Sequence, residues 1–284
     1  MHAGTSANTA RHYVAGGLTY LILVVFAVIT LAPLAWGVST SLKSNADVFR
    51  YPPQWIPQDP QWSNYLDTWN LVPFARYYWN TLYMTVLIVV GQLITSSMAG
   101  YAFARLRFPG RDMVFLLYLA SLMIPGQVIM IPIFLMVKEL GWIDSHLSLI
   151  VPSLAGPFGT FLFRQFFLGI PEDLVDAAKM DGCTPLGTYW RIFMPLSKPA
   201  LATLGVFTAM NCWNSFLWPL ILLRTPELYT VTLGLGMLRG LNPFAPQWEI
   251  LMAGSVTALL PIVVVFLLAQ RYFVEGIALT GIKA

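Results

Sequence analysis

The chain has 284 residues, 57% of them hydrophobic and only 10% charged, with 16 Lys and Arg against 13 Asp and Glu. A soluble domain carries about 25% charged residues, so this composition excludes an ordinary soluble protein, and the mean hydropathy of +0.67 points to a polytopic membrane chain. A formal charge of +3 is too small for a nucleic-acid footprint, and two cysteines, Cys183 between spans and Cys212 within one, imply no disulfide framework.

Residues 1–16 form a short polar tail. The first apolar run, about Leu18 to Val38, can cross a hydrocarbon core of roughly 30 Å. It is too long for a signal core and lacks a small-x-small cut site, so it reads as a retained span. The connector 39–78 is rich in proline and aromatics, among them Tyr51, Trp55, Trp62, Tyr65 and Trp69. Trp62, Tyr65, Leu66 and Trp69 share a helical face, which predicts a short helix at the membrane surface. Sugar stacking is a second use for these rings.

The second span, about Trp79 to Ala104, carries Gln92, Thr95, Ser96, Ser97 and Gly100, residues that favour close helix packing. Gln92 suits a bond to another helix or a contact to a solute in a pathway. Arg105, Arg107 and Arg111 then crowd one short turn, which assigns that side to the cytoplasm. The third span runs from about Met113 to Val137 and the fourth from about Leu147 to Leu168, where Arg164 is expected to snorkel to the interface. The fifth, about Ala200 to Leu223, holds Asn211, Trp213, Asn214 and Trp218, and the sixth runs from about Ile250 to Gln270. The pattern predicts an all-α membrane protein of six spans with both termini cytoplasmic. Ten of the 16 Lys and Arg then fall inside, in agreement with the positive-inside rule. Proline in five of the six spans predicts bent helices around a pathway.

One polar stretch interrupts this apolar plan: Pro171 to Pro199, between the fourth and fifth spans. Pro171, Glu172 and Asp173 suit a helix start. Leu174, Ala177, Ala178 and Asp181 fall on one face, and Gly182 supplies a left-handed stop. Thr184 and Pro185 open a second helix, Leu186, Tyr189, Trp190 and Phe193 form its apolar stripe, and Pro195 is expected to end it. The small pair Ala177-Ala178 beside the Asp176 carboxylate has the form of a docking surface. An ordinary loop between spans is the alternative.

Catalysis finds no support. His2, His12 and His146 form no cluster, and Gly182 to Gly187 has phosphate-loop spacing but continues Thr188-Tyr189 instead of Lys-Ser/Thr. The spans lack central acidic or basic groups of the kind that ion-coupled carriers use. Asn211 and Asn214 share a face near two indoles, which suits an uncharged, hydroxyl-rich solute, or bonds between helices.

The polar stretch resembles the coupling loop of ABC-importer permeases. That family's pattern is Glu-Ala-Ala, three residues, Gly, nine residues, Ile, one residue, Leu-Pro. Here stand Asp176-Ala177-Ala178, Gly182, Ile192 and Met194-Pro195, with Asp for Glu and Met for Leu. SNYLDTW (63–69), Asn80-Thr81, YAFARLRFPGR (101–111), WNSFLWPL (213–220) and GIALTGIKA (276–284) are similar to the carbohydrate branch, which includes the smaller membrane subunit of the maltose permease. The resemblance implies a type I importer (MetI-like) architecture in a bacterial or archaeal plasma membrane: a permease domain at 17–284, its coupling loop at 171–199 and a cytoplasmic tail at 271–284. It implies a second homologous permease subunit, a dimer of ATPase subunits that bind ATP and Mg, and an external binding protein that delivers a sugar. This chain would then be no enzyme and would bind no cofactor or metal. Asp176, Ala177, Ala178, Gly182, Ile192 and Pro195 would serve ATPase coupling, and Gln92, Asn211, Trp213 and Asn214 the pathway. Residues 238–246 resemble a loop that reaches into the binding protein. A glycerol phosphate permease of the same family, and a self-sufficient secondary carrier, are the rival functions.

Overall fold

The structure, a computed structural model, describes the backbone of residues 4–240 and 246–280 and the side chains of residues 16–240 and 246–270. Most of the expected loop 238–246 and the end of the expected tail lie outside the described residues. All regular elements among the described residues are helical. In order these are α1 (Gly4–Ser41), α2 (Asn45–Val48), α3 (Ser63–Leu71), α4 (Phe74–Arg105), α5 (Arg111–Ala120), α6 (Met130–Glu139), α7 (Leu147–Ile150) and α8 (Pro157–Leu168). After them come α9 (Glu172–Met180), α10 (Pro185–Thr188), α11 (Met194–Leu196), α12 (Lys198–Trp213), α13 (Leu217–Leu222), α14 (Val231–Gly240) and α15 (Trp248–Thr280). The polar tail is therefore helical from Gly4 onward.

Four described stretches are long and apolar enough to cross a membrane: Gly16–Ser41, Phe74–Arg105, Leu147–Leu168 and Trp248–Gln270. The bent pair Pro185–Leu196 and Lys198–Trp213 makes a fifth if it is read as one span. The third expected span is two ten-residue helices, α5 and α6, each about 15 Å long. Pro125 causes the break. It disfavours helical backbone at the residue before it, and Ile124 is extended at φ −85°, ψ 116°. Pro157 acts similarly on Gly156, which is extended at the start of α8.

The chain divides into two units, residues 1–71 with 238–257 and residues 72–237 with 258–284. In the first unit, α3 faces inward with its polar side. The Asn64 amide donates to the carbonyls of Ser41 and Lys43, both at 2.9 Å, and Thr68 Oγ1 donates to Ile250 O at 3.0 Å. Tyr65 Oη bonds Ser41 Oγ at 2.7 Å, while Trp62 and Leu66 stay exposed. The predicted surface helix thus carries its apolar face outward. Lys43 is buried with its ammonium 3.9 Å from the centre of the Trp36 ring.

In the second unit, α4 packs along α8 and α12 through small residues. A Cβ on Gly100 would sit 2.6 Å from Phe163 Cβ, and one on Gly159 would sit 2.5 Å from Ser96 Oγ. These glycines set how closely α4 and α8 approach. Arg164 is engaged near the end of α8: its guanidinium lies 3.6 Å from the exposed Asp112 and 4.2 Å from the centre of the Phe115 ring. Arg111 bonding and the two guanidinium charges hold the Asp112 carboxyl below its ordinary value.

Candidate functional site

The polar stretch folds as a helical hairpin. Its first arm, α9, begins at Pro171 with Glu172 and Asp173 in its first turn and Lys179 in its last, as the helix dipole favours. It ends in a Schellman motif: Cys183 N donates to Ala178 O at 2.9 Å, and Gly182 N donates to Lys179 O at 3.0 Å. Gly182 adopts φ +74°, the left-handed conformation expected of it. Thr184 Oγ1 then accepts Gly187 N–H at 3.1 Å and caps the second arm.

Pro195 does not end that arm. The helix runs on through Met194–Leu196, and the chain turns by 77° only at Ser197. Tyr189–Phe193 widens into a π-helical turn. Pro195 has no N–H for the carbonyl four residues back, and the wider turn accommodates that gap without a break.

Each expected face of the hairpin splits in two. Ala178 is 4% exposed, whereas Ala177 next to it lies on the surface. Tyr189 and Phe193 are buried, whereas Leu186 and Trp190 face outward. The inner set forms one aromatic core with Tyr101 of α4 and with Phe163 and Phe167 of α8, with ring centres of Tyr101 and Phe167 each about 5 Å from Phe193. The outer surface presents Asp176, Ala177, Met180, Gly182, Leu186 and Trp190, and Met180 is 89% exposed. Asp176 pairs with Lys179 at 2.8 Å, with both side chains largely exposed. Such a pair contributes at most about 1 kcal/mol, so the carboxylate is free to exchange Lys179 for a cation on another surface. Ile192 lies against the aromatic core.

The four pathway candidates do not come together in one place. Gln92 Oε1 accepts the Thr208 hydroxyl and so joins α4 to α12, close against Gly156. Trp213 is 5% exposed, and its indole N–H donates to Ala258 O at 3.0 Å. Asn214 donates to Met210 O at 2.9 Å where α12 stops. Asn211 and Asn214 both stay exposed beside the break before α13.

The far end of α4 holds a second polar cluster that local sequence did not disclose. Asp144, at φ +59°, accepts the N–H groups of Arg224 and Thr225 at 2.8 and 2.9 Å and the Thr225 hydroxyl at 2.5 Å. The Thr225 hydroxyl, followed by those two amides, lowers the Asp144 carboxyl below its ordinary value. Asn80 donates to Glu227 O and Tyr229 O at 2.8 and 3.0 Å, and His146 bridges Tyr83 and Leu228 O. The only local signal was an aspartate, one of the few side chains that tolerates left-handed backbone.

These features define an all-helical membrane component with one polar hairpin mounted on its spans. The chain belongs to the family of binding-protein-dependent transport system inner membrane components, which matches residues 92–278. It is a permease subunit, a transport component whose ATPase is a separate chain. It is 37% identical over 265 residues to the arabinooligosaccharides transport system permease protein AraQ of Halalkalibacterium halodurans, covering 92% of each chain. To the sn-glycerol-3-phosphate transport system permease protein UgpE of Pectobacterium atrosepticum it is 34% identical over 265 residues, covering 91% of this chain and 94% of that one. A chain of a bacterial ABC transporter that imports the acidic polysaccharide alginate shares its fold, with a TM-score of 0.83 and 28% identity over 92% of this chain and 97% of the other.

Proposed function

We propose that this permease imports a neutral sugar or oligosaccharide delivered by an external binding protein, paired with a second homologous permease. Its hairpin faces the cytoplasm and docks in a cleft of the ATPase subunit, with Asp176, Ala177, Met180 and Gly182 at the contact. The observation that carries this reading is the division of the hairpin: an exposed small-and-apolar face outward and an aromatic core inward. A loop that only joined two spans would need neither. Closure of the ATPase on ATP moves the docked hairpin and shifts the spans between two states of access, and hydrolysis returns them. Asn211 and Asn214, exposed at a helix break, supply the amides for sugar hydroxyls, while Gln92 and Trp213 hold the neighbouring helices.

A second reading, an anionic solute, draws on the glycerol phosphate relative and the alginate importer. Against it, Arg164 is already engaged by Asp112 and Phe115. The test purifies the complex through a tag on this chain and measures its ATPase with binding proteins loaded with arabino-oligosaccharide or with glycerol phosphate. Stimulation by the sugar-loaded protein supports the proposal, and stimulation by the phosphate-loaded one favours the second reading. If no ATPase co-purifies, the docking assignment is wrong.

A further inference from the structure

Three residues of α4, one turn apart, are committed to the hairpin. Ser97 Oγ bonds Tyr189 Oη at 2.8 Å, and Tyr101 Oη donates to Pro185 O at 2.9 Å. Arg105 Nη2 donates to Phe167 O at 2.6 Å and also to Ile170 O. The spacing of four residues places all three on one face of α4. Phe167 lies in the last turn of α8 and its carbonyl also accepts Ile170 N–H at 3.2 Å, while Ile170 follows just beyond that helix end, where the helix dipole favours a cation. The same guanidinium lies 5.3 Å from the centre of the Phe193 ring in the returning arm. One side chain therefore touches the end of α4, the exit of α8 and the far arm of the hairpin. Gly100, on the same stretch of α4, brings the α8 backbone so close that a Cβ would lie 3.0 Å from Arg164 N.

We infer that Arg105 is a positioning residue that makes α4, α8 and the hairpin move as one body. The alternative design is a hairpin that swings about its two roots, near Gly169 and Ser197. In that design ATPase motion would reach the spans only through the chain ends. With the joint, displacement of the hairpin passes sideways into α4, the helix that carries Gln92 at mid-length. The role in transport rests on the docking reading given above, but the joint itself does not.

The test places spin labels at the exposed Met98 of α4 and at the exposed Arg191 in the second arm of the hairpin (Met98→Cys, Arg191→Cys), outside the proposed ATPase contact, in full-length chain carrying Cys183→Ser and Cys212→Ser. In otherwise wild-type chain the inter-label distance is expected to be narrow and equal in nucleotide-free and ATP–vanadate-trapped complexes. Arg105→Gln broadens it. Tyr101→Phe, which removes one hydrogen bond and little packing, broadens it less and guards against a misfolded Arg105 variant. In proteoliposomes both variants keep the ATPase bound and raise the ATP consumed per solute imported several-fold, with Arg105→Gln the larger effect. A distance that shifts on vanadate trapping in wild type, or one that stays narrow in both variants, overturns the inference. Absence of any bound ATPase in wild type overturns the docking reading instead, and the label widths in the chain alone still decide the joint.

Discussion

Replacing Gly182 by valine tests whether the angle between the hairpin arms matters. The residue sits at φ +74°, and a Cβ there would meet nothing of this chain within 4 Å, so the penalty within the chain comes from the backbone and not from a clash. The variant has two courses. It can hold the left-handed conformation, which costs an L-residue about 1–2 kcal/mol. Or it can relax and forfeit the bonds of Gly182 N to Lys179 O and Cys183 N to Ala178 O, each contributing about 1 kcal/mol net. Either course removes about 1–2 kcal/mol from the native angle, a factor of roughly 5–30 in its population. The buried Tyr189 and Phe193 do not depend on this turn, so the chain should still reach the membrane at normal levels. Gly182→Val is then expected to hydrolyse ATP with little uptake, Gly182→Ala to be intermediate, and Gly182→Asn to be close to wild type, because asparagine tolerates left-handed backbone. Uptake per ATP in proteoliposomes gives the ranking. Normal uptake by the valine variant at normal membrane levels refutes the reasoning, and so does an asparagine variant as defective as the valine one.

Three further outcomes are expected. Asp176→Lys should lose ATPase co-purification through charge reversal while thermal unfolding in detergent stays near wild type, since its exposed pair with Lys179 contributes little; unchanged co-purification would sink that assignment. Gly100→Ala should lower stability by about 1–3 kcal/mol by overpacking α4 on α8, read as a lower midpoint of thermal unfolding, whereas Gly126→Ala meets nothing within 4 Å and should leave it unmoved. The lowered Asp144 carboxyl stabilises its loop clasp fully above the unfolded value of about 3.9 and loses that contribution as pH falls through the folded value. Amide exchange at Arg224 and Thr225 should therefore be slow at neutral pH, fast at that pH in Asp144→Ala, and faster in wild type only under strongly acid conditions, after correction for intrinsic rates.

Local rules made part of this molecule readable in advance. Gly182 and Thr184 could be placed because a left-handed stop and a side-chain cap each depend on a few neighbouring atoms. Pro195 was misleading for the same reason: the local rule predicts a stop, but the buried Tyr189 and Phe193 keep the arm helical and the widened turn takes up the missing donor. The Pro125-Gly126 pair is a strong turn signal, yet it sits in a mostly apolar run without a charged residue, and composition alone reads that run as one span. Arg105 looked like one more positive charge in a basic turn. Its partners lie 62 and 65 residues away, and nothing near it in the sequence announces them. Family resemblance singled out the hairpin, but which of Ala177 and Ala178 faces outward depends on what lies beneath the helix.

The inward polar face of α3 has a consequence for how the first span meets the bilayer. Asn64 uses both amide hydrogens on carbonyls at and just beyond the C-terminal end of α1, and Tyr65 holds Ser41 from the side. These bonds fix the axial position of α1 against the connector. The apolar part of α1, Gly16–Ser41, has 26 residues and is about 39 Å long, against a hydrocarbon core of roughly 30 Å. A helix pinned at one end cannot answer a change in membrane thickness by sliding like a piston. It must lean, so thinner bilayers should increase the tilt of this span while its anchored end keeps its depth.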